Sequence, residues 1–383
     1  MKPLHAVQGH QEVRRDLARA VAAGTLPGAL LLYGTPGVGK QRLALWLGQF
    51  LLCERPGAEP CGVCHACHLT LRLEHPDLHW FFPLPRPRSS GGADRLGEAL
   101  EEARAAELAA RREEPLYSAV REESVGLFLA HVQVLRRMAQ TRPAMGPRKI
   151  FVVGDAEFLV PQEASPEAAN ALLKLLEEPP PDTTVILTAA DPDSLLPTIR
   201  SRLLPVRVRP LPSGEVAGFL VSARGIGQAA ALVAAGLGGG SIGRALAFLP
   251  DGPLENMRHS ARALLESALA RGAAPRLAAA LAQAPAGARA TAFLGVLDFL
   301  ATWLRDLAAV TAGAEEVVVN TDSLPWLRET ASKHAGLAAG IPGALRAVDQ
   351  AAGLSRFNLN PQLTVAWLLR QIAAQLRIPT RAA

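Results

Sequence analysis

Apolar residues fall into two regimes along this chain. In the first half they gather in short unbroken runs separated by helical stretches. Gly28–Tyr33 (GALLLY), Lys149–Val153 (KIFVV) and Thr184–Thr188 (TVILT) are such runs, and each reads as a short strand buried on both faces. Trp80, Phe81 and Phe82 suggest another buried strand. Gln41–Leu51 between the first two has helical spacing, as do Gly97–Glu114 and Ser118–Gln140. A further helix opens at Ser165-Pro166, ends at Pro179-Pro180-Pro181 and turns Leu172, Leu173, Leu175 and Leu176 to the core. The alternation predicts an α/β domain with a parallel sheet over residues 1–208. Gly97–Glu114 is polar on most of its faces and reads as a solvated insertion, reached through the flexible Pro83–Gly92 connection, with no assigned chemistry.

The second regime is helical. Residues 209–252 predict a small helical lid closed by Gly238-Gly239-Gly240. Beyond Asp251-Gly252, apolar residues keep helical spacing over Pro253–Arg271, Ala288–Ala312 and Asn360–Arg377, which predicts an all-α domain over 253–383. Asn360-Pro361 places a capping side chain before proline at the first helical position. The stripe Phe293, Leu297, Leu300, Trp303, Leu304 and Leu307 reads as core, with a direct subunit interface as the other reading.

The strand over Gly28–Tyr33 runs into Gly34-Thr35-Pro36-Gly37-Val38-Gly39-Lys40, and a helix follows. Strand, glycine-rich loop and helix together form a phosphate-binding loop, in which backbone N–H groups and the helix N-terminus face phosphates and Lys40 reaches the outer ones. The motif calls for Ser or Thr next, to hold magnesium, and Gln41 stands there instead. Asp155, after the second strand, can orient magnesium through water. A hydrolysing site would place glutamate after it, where the chain has Ala156. Glu157, one residue further, lies on the opposite side if the backbone is extended. Ala190, after the third strand, stands where a polar group would contact the γ-phosphate. A nucleotide, ATP or ADP, is expected to bind without being hydrolysed.

All four cysteines of the chain lie just downstream, as Cys53-x7-Cys61-x2-Cys64-x2-Cys67. Two CxxC steps sharing Cys64 put three thiolates on one tight turn, and Cys53 adds the fourth from the end of the preceding helix. Four sulfurs close the shell of a structural Zn2+ and leave no position for catalysis. A disulfide framework would need an oxidising compartment, and the opening MKPLHAVQGH shows no apolar signal segment, so the expected location is cytoplasmic. His65 and His68 are read as exposed rather than as ligands.

Composition adds little. Net charge is +5 and spread along the chain, which permits contact with DNA phosphates without requiring it. No apolar run reaches the ~20 residues of a membrane span.

The chain resembles the AAA+ clamp-loader family, and within it the delta-prime type of the bacterial DNA polymerase III clamp loader. The carrying segments are LPGALLLYGTPGVGK (26–40), the cysteine module followed by His75-Pro76-Asp77, and AANALLKLLEEPPPDTTVILTAADPDSLLPTIRSR (168–202). The resemblance implies a zinc module inserted in an AAA+ domain, then a lid and an oligomerisation collar. It implies gamma/tau-type and delta-type partner subunits, with the sliding clamp and primed DNA reached through the complex, as an accessory subunit of the polymerase holoenzyme in the nucleoid-associated replisome. Ser201-Arg202, followed by Leu203, matches the family's Ser-Arg-Cys signature with the cysteine replaced. The family projects that arginine into a neighbouring subunit's ATP site, so Arg202 is expected to act in trans. The gamma/tau motor subunit shares the fold but keeps a complete ATPase site; Gln41, Ala156 and Ala190 favour the non-hydrolysing type. Some delta-prime chains have a wholly degraded phosphate loop, whereas Gly34, Gly37, Gly39 and Lys40 are kept here. The family's lid arginine aligns at Gly243, with Arg244 adjacent.

Overall fold

A computed structural model describes residues 3–87, 93–114, 116, 125–159, 167–250, 252–282, 290–334, 336–355 and 360–377. They fall into two compact units, one of residues 1–219 with 239–243 and one of 220–238 with 244–383. Ser165 and Pro166, read as a helix cap, lie outside the described residues.

Seven strands occur among the described residues of the first unit: β1 Ala29–Tyr33, β2 Leu78–Phe81, β3 Leu84–Pro85, β4 Val125–Gly126, β5 Lys149–Val153, β6 Thr183–Ala189 and β7 Leu204–Arg207. Five form one sheet in the order β2-β5-β6-β1-β7, every neighbouring pair parallel. The three central strands were legible as apolar runs because both faces of the sheet are covered, so alternate residues serve two cores. Leu30, Leu32, Ile150, Val152 and Ile186 pack under the Lys40–Leu52 helix on one face. Leu31, Phe151, Val153, Val185 and Leu187 pack on the other with Leu135 of Leu129–Ala139 and with Leu172, Leu175 and Leu176 of Glu167–Glu177. Leu173 is only partly buried there. Gly48 lets the Lys40–Leu52 helix lie flat on the sheet, since a Cβ there would sit 2.8 Å from Leu78.

The insertion differs from its sequence reading. Its helix, Ala93–Glu113, has one packed face: Leu100 is buried against Phe82, Leu84 and Ala130. The Arg104 guanidinium lies 4.8 Å from the Phe81 ring centroid, and that of Arg111 lies 4.3 Å from Trp80 and 4.0 Å from Phe82. A polarity pattern counts these arginines as solvated, whereas their stems and planar heads cover the aromatics of the edge strand and its exit.

The described helices of the second unit's carboxy-terminal part are Pro253–Leu269, Ala274–Leu281, Ala290–Thr311, Leu324–Lys333, Leu337–Ser355 and Pro361–Gln375. The stripe from Leu297 to Leu307 is core, with Trp303 fully buried, and Phe293 is partly buried at its end. Asn360 caps as expected, its side chain accepting from the Gln362 N–H at 2.9 Å. Leu337–Ser355 escapes the sequence pattern because Pro342 sits inside it. A buried polar node ties this unit together. Asp306 accepts from the Val319 and Asn320 backbone N–H groups at 2.9 and 2.8 Å and from Asn320 Nδ2 at 2.6 Å. Buried Arg258 meets Glu255, Asn320 and Asp322 at 2.8–3.0 Å.

Candidate functional site

The phosphate loop runs from the end of β1, through Gly34, Thr35, Pro36, Gly37 and Val38, to Gly39, which precedes the Lys40–Leu52 helix. Donors of the same chain hold the carbonyls along this run. Lys40 Nζ donates to Gly34 O at 2.8 Å and to Thr35 O at 3.1 Å. Ser241 Oγ donates to Pro36 O at 2.9 Å, the Gly243 N–H to Gly37 O at 3.0 Å, and His10 Nε2–H to Val38 O at 2.9 Å. Among the described residues no acceptor engages the N–H groups of Gly37, Gly39 or Lys40. Carbonyls engaged and amides free is the arrangement that suits a phosphate, so the residues present fit one. Lys40 is buried, and its ammonium rests on the loop itself.

A divalent metal does not fit in the same way. Gln41 Nε2 donates to Asp155 Oδ2 at 2.9 Å, while Gln41 Oε1 accepts from Trp80 Nε1 at 3.1 Å. The carboxylate expected to orient magnesium is bonded to the amide that replaces the magnesium ligand. Gly154 makes room for that amide: a Cβ at residue 154 would lie 2.6 Å from Gln41 Oε1.

Beyond β5 the backbone does not continue extended. Asp155 has φ +50°, and Ala156–Leu159 form a tight 3-10 turn. The turn brings Glu157 back toward the loop, where Oε1 accepts from the Ala190 N–H at 3.1 Å. The expectation that Glu157 points away is therefore corrected; it rested on an extended chain, which left-handed Asp155 breaks. Burial pushes the Glu157 carboxyl above the usual carboxylate range, and the Asp155 charge adds to this. A raised pKa makes the carboxylate a stronger base, but its Oε1 is already engaged with the backbone.

The four cysteines converge. Cys53 ends the Lys40–Leu52 helix, Cys61 and Cys64 lie on the following turn, and Cys67 lies in the His65–Leu71 helix that Cys64 caps. Their sulfurs all lie within 4.8 Å of one another, with Cys53–Cys64 and Cys61–Cys67 at 4.0 Å. A tetrahedral zinc with ~2.3 Å bonds needs sulfurs about 3.8 Å apart, close to this spacing. Backbone N–H groups of Cys61, Cys64 and Cys67 point at Cys53, Cys61 and Cys64 sulfurs at 3.3–3.4 Å, as thiolates would require. The backbone N–H groups of Val63 and Cys64 hold the Cys61 thiol down to about 6, whereas burial pushes Cys67 up to about 12. His65 and His68 are exposed and outside the cluster.

Arg202 follows Asp193–Arg200, a segment the sequence predicts as one helix. The structure breaks it into Pro192–Ser194 and Pro197–Arg200, because Pro197 starts a new turn. Arg202 is exposed at its end, paired with Glu177 at 2.5 Å and bonded to Thr198 O at 2.6 Å. Arg200 pairs separately with Asp193.

A family model described as DNA polymerase III, delta subunit, matches residues 9–212. The DNA polymerase III subunit delta' of Escherichia coli (strain K12) is 31% identical over 326 residues, covering 84% of this chain and 82% of that one. The chain belongs to the DNA polymerase III delta-prime family. Matches to the delta' subunits of Yersinia pestis, Pseudomonas aeruginosa and Haemophilus influenzae are shorter and span 43%, 40% and 45% of those chains. The gamma/tau subunit of Mycobacterium tuberculosis (strain H37Rv) is 29% identical over 215 residues, 56% of this chain and 30% of that one.

Within this delta-prime chain, several residues at the loop had no signal in the sequence. His10 and Ser241 hold loop carbonyls from 28 and 205 residues away. Gly243, the aligned position of the lid arginine, lies against the loop instead of bearing a charge; a Cβ there would sit 3.0 Å from Gly37 Cα. Arg244 is exposed on the Ile242–Ala247 helix. From its neighbours Trp80 reads only as part of a buried strand, yet its indole N–H orients Gln41. A tryptophan that must place its N–H is the one hint the sequence offered.

Proposed function

We propose that this delta-prime subunit works in the clamp loader as a member that does not hydrolyse ATP and that supplies Arg202 to a neighbour's ATP site. The observation that carries the reading is Gln41 bonded to Asp155: the carboxylate that would serve magnesium is engaged by the chain's own amide. Phosphoryl transfer relies on a metal to neutralise developing charge, so losing it removes the largest electrostatic contribution. ATP or ADP would sit in Gly34–Lys40 as a structural ligand. The subunit completes an arc with gamma/tau-type and delta-type subunits, which places a sliding clamp on primed DNA. It does so in the cytoplasm, at the nucleoid-associated replisome.

In the same reading, Cys53, Cys61, Cys64 and Cys67 hold one structural Zn2+. Residues 209–252 act as the lid and 253–383 as the oligomerisation collar. Arg202 is suited to a role in trans because its present partners are exchangeable: an exposed pair with Glu177 is worth under ~1 kcal/mol. Its planar fork of donors matches a phosphoryl group. The gamma/tau-like motor is the competing reading, drawn from the retained Lys40 and from Glu157 turned back toward the loop. Steady-state ATP turnover of the isolated chain, with Lys40→Ala as control, separates the two. Background turnover is expected for both proteins; turnover comparable to a motor subunit, abolished by Lys40→Ala, would favour the motor.

A further inference from the structure

We propose that the Gln41 carboxamide takes the place of a divalent cation, so that nucleotide in this phosphate loop binds without magnesium. The inference rests on the reading that the loop takes ATP or ADP, and it concerns how.

Magnesium demands oxygen ligands in near-octahedral array. The residue after the loop lysine normally offers a hydroxyl oxygen. Gln41 has one oxygen to offer, and that oxygen accepts from Trp80 while Nε2 faces Asp155. Trp80 Nε1–H is a donor and cannot accept, so the atom 3.1 Å from it must be the amide oxygen. The orientation of the amide is thereby decided, and Nε2 faces Asp155. An N–H pair has no lone pair for a metal and presents the positive end of the amide dipole to the carboxylate. It offers Asp155 what a cation would offer, at smaller charge.

Two further features hold the amide in place. Gly154 leaves the volume that Gln41 fills; any side chain there would strike the amide at 2.6–2.9 Å. On the other side Trp80 cannot easily turn away. Arg111 of the inserted helix stacks on it at 4.3 Å, Phe82 meets it edge-on at 5.4 Å, and Arg111 is itself paired with Glu107 at 2.9 Å. The insertion therefore acquires a role: it secures a positioning residue, Trp80, which fixes the amide next to the phosphate loop.

The test is ADP titration of the full chain by calorimetry, in excess magnesium and in EDTA, together with manganese binding followed by electron paramagnetic resonance. The wild type is expected to bind ADP with affinities equal within about twofold in the two buffers and to retain no manganese that Asp155→Ala would release. The double variant Gln41→Thr/Gly154→Asp should bind ADP at least tenfold more tightly with magnesium and retain about one manganese ion. Trp80→Phe keeps the ring under Arg111 but frees the amide oxygen, and should show a magnesium preference of several-fold; a merely structural Trp80 would leave that ratio unmoved. Tenfold tighter ADP binding by wild type in magnesium, or one manganese lost in Asp155→Ala, would overturn the proposal. If ADP binds in neither buffer, nucleotide occupancy is wrong, and the manganese measurement still decides whether the amide excludes the metal.

Discussion

Replacing Cys64 with serine is a direct perturbation of the cysteine cluster. The Cys64 sulfur lies 4.0 Å from that of Cys53, accepts the Cys67 N–H at 3.4 Å and caps the His65–Leu71 helix. A serine hydroxyl is shorter and binds zinc poorly, so about one zinc per chain should fall to nearly none. With the ion lost, residues 53 to 67 are no longer clipped together. A cross-link closing a loop of ~15 residues is worth about 3 kcal/mol in the chain-entropy account. At ~2–4 °C per kcal/mol for a unit of this size, the first unit should melt roughly 6–12 °C lower. It should still fold, because Glu59 anchors the loop independently, accepting from Trp46 Nε1 at 2.7 Å and pairing with Arg14 at 2.9 Å. Elemental analysis with scanning calorimetry reads both effects, and a chelator should reproduce them in the wild type while leaving the second unit's transition in place. Metal-free wild-type protein with four freely titrating thiols, and an unchanged transition in Cys64→Ser, would refute the reasoning.

Asp306→Ala removes the acceptor of three hydrogen bonds, two of them from buried Asn320, and should destabilise the second unit by about 3 kcal/mol, read as a lower urea midpoint. The first unit should lose stability in mild acid. Burial drives His131 and His79 down to about 4, so both are neutral in the fold at pH 6, while the unfolded chain takes up protons below its ordinary histidine range. That stability is present above pH ~6.5 and is lost as pH falls toward ~4, at up to ~1.4 kcal/mol per unit for each histidine. The urea midpoint between pH 7 and 4.5 follows it, and His131→Gln should flatten the slope.

The central sheet and the buried stripe of the carboxy-terminal helices were legible because burial on both faces, or along one helical face, leaves an unambiguous apolar pattern. The cysteine cluster was legible because spacing alone brings Cys61, Cys64 and Cys67 together within one turn. What escaped depends on long-range contact or on a single backbone angle. Left-handed Asp155 reversed the placement of Glu157, and no periodicity reports a φ of +50° at one residue. The insertion looked solvated because Arg104 and Arg111 count as polar while covering aromatic rings. Gln41 shows in the sequence only as a departure from the Ser or Thr of the motif, since nothing there ties it to Trp80, 39 residues away, or to Gly154. Pro342 concealed a helix that its neighbours impose.

The most direct measurement is ATP turnover and clamp loading by a reconstituted loader carrying Arg202→Ala in this subunit, with Arg200→Ala as control. Arg202 forms one half-exposed ion pair, so the variant subunit should fold and assemble as the wild type does. An arginine acting on phosphoryl transfer in trans is worth roughly 10³–10⁵ in rate, so turnover at one ATP site should be lost and loading impaired, while Arg200→Ala behaves as wild type. Unchanged turnover and loading in the Arg202→Ala loader would contradict the proposed function.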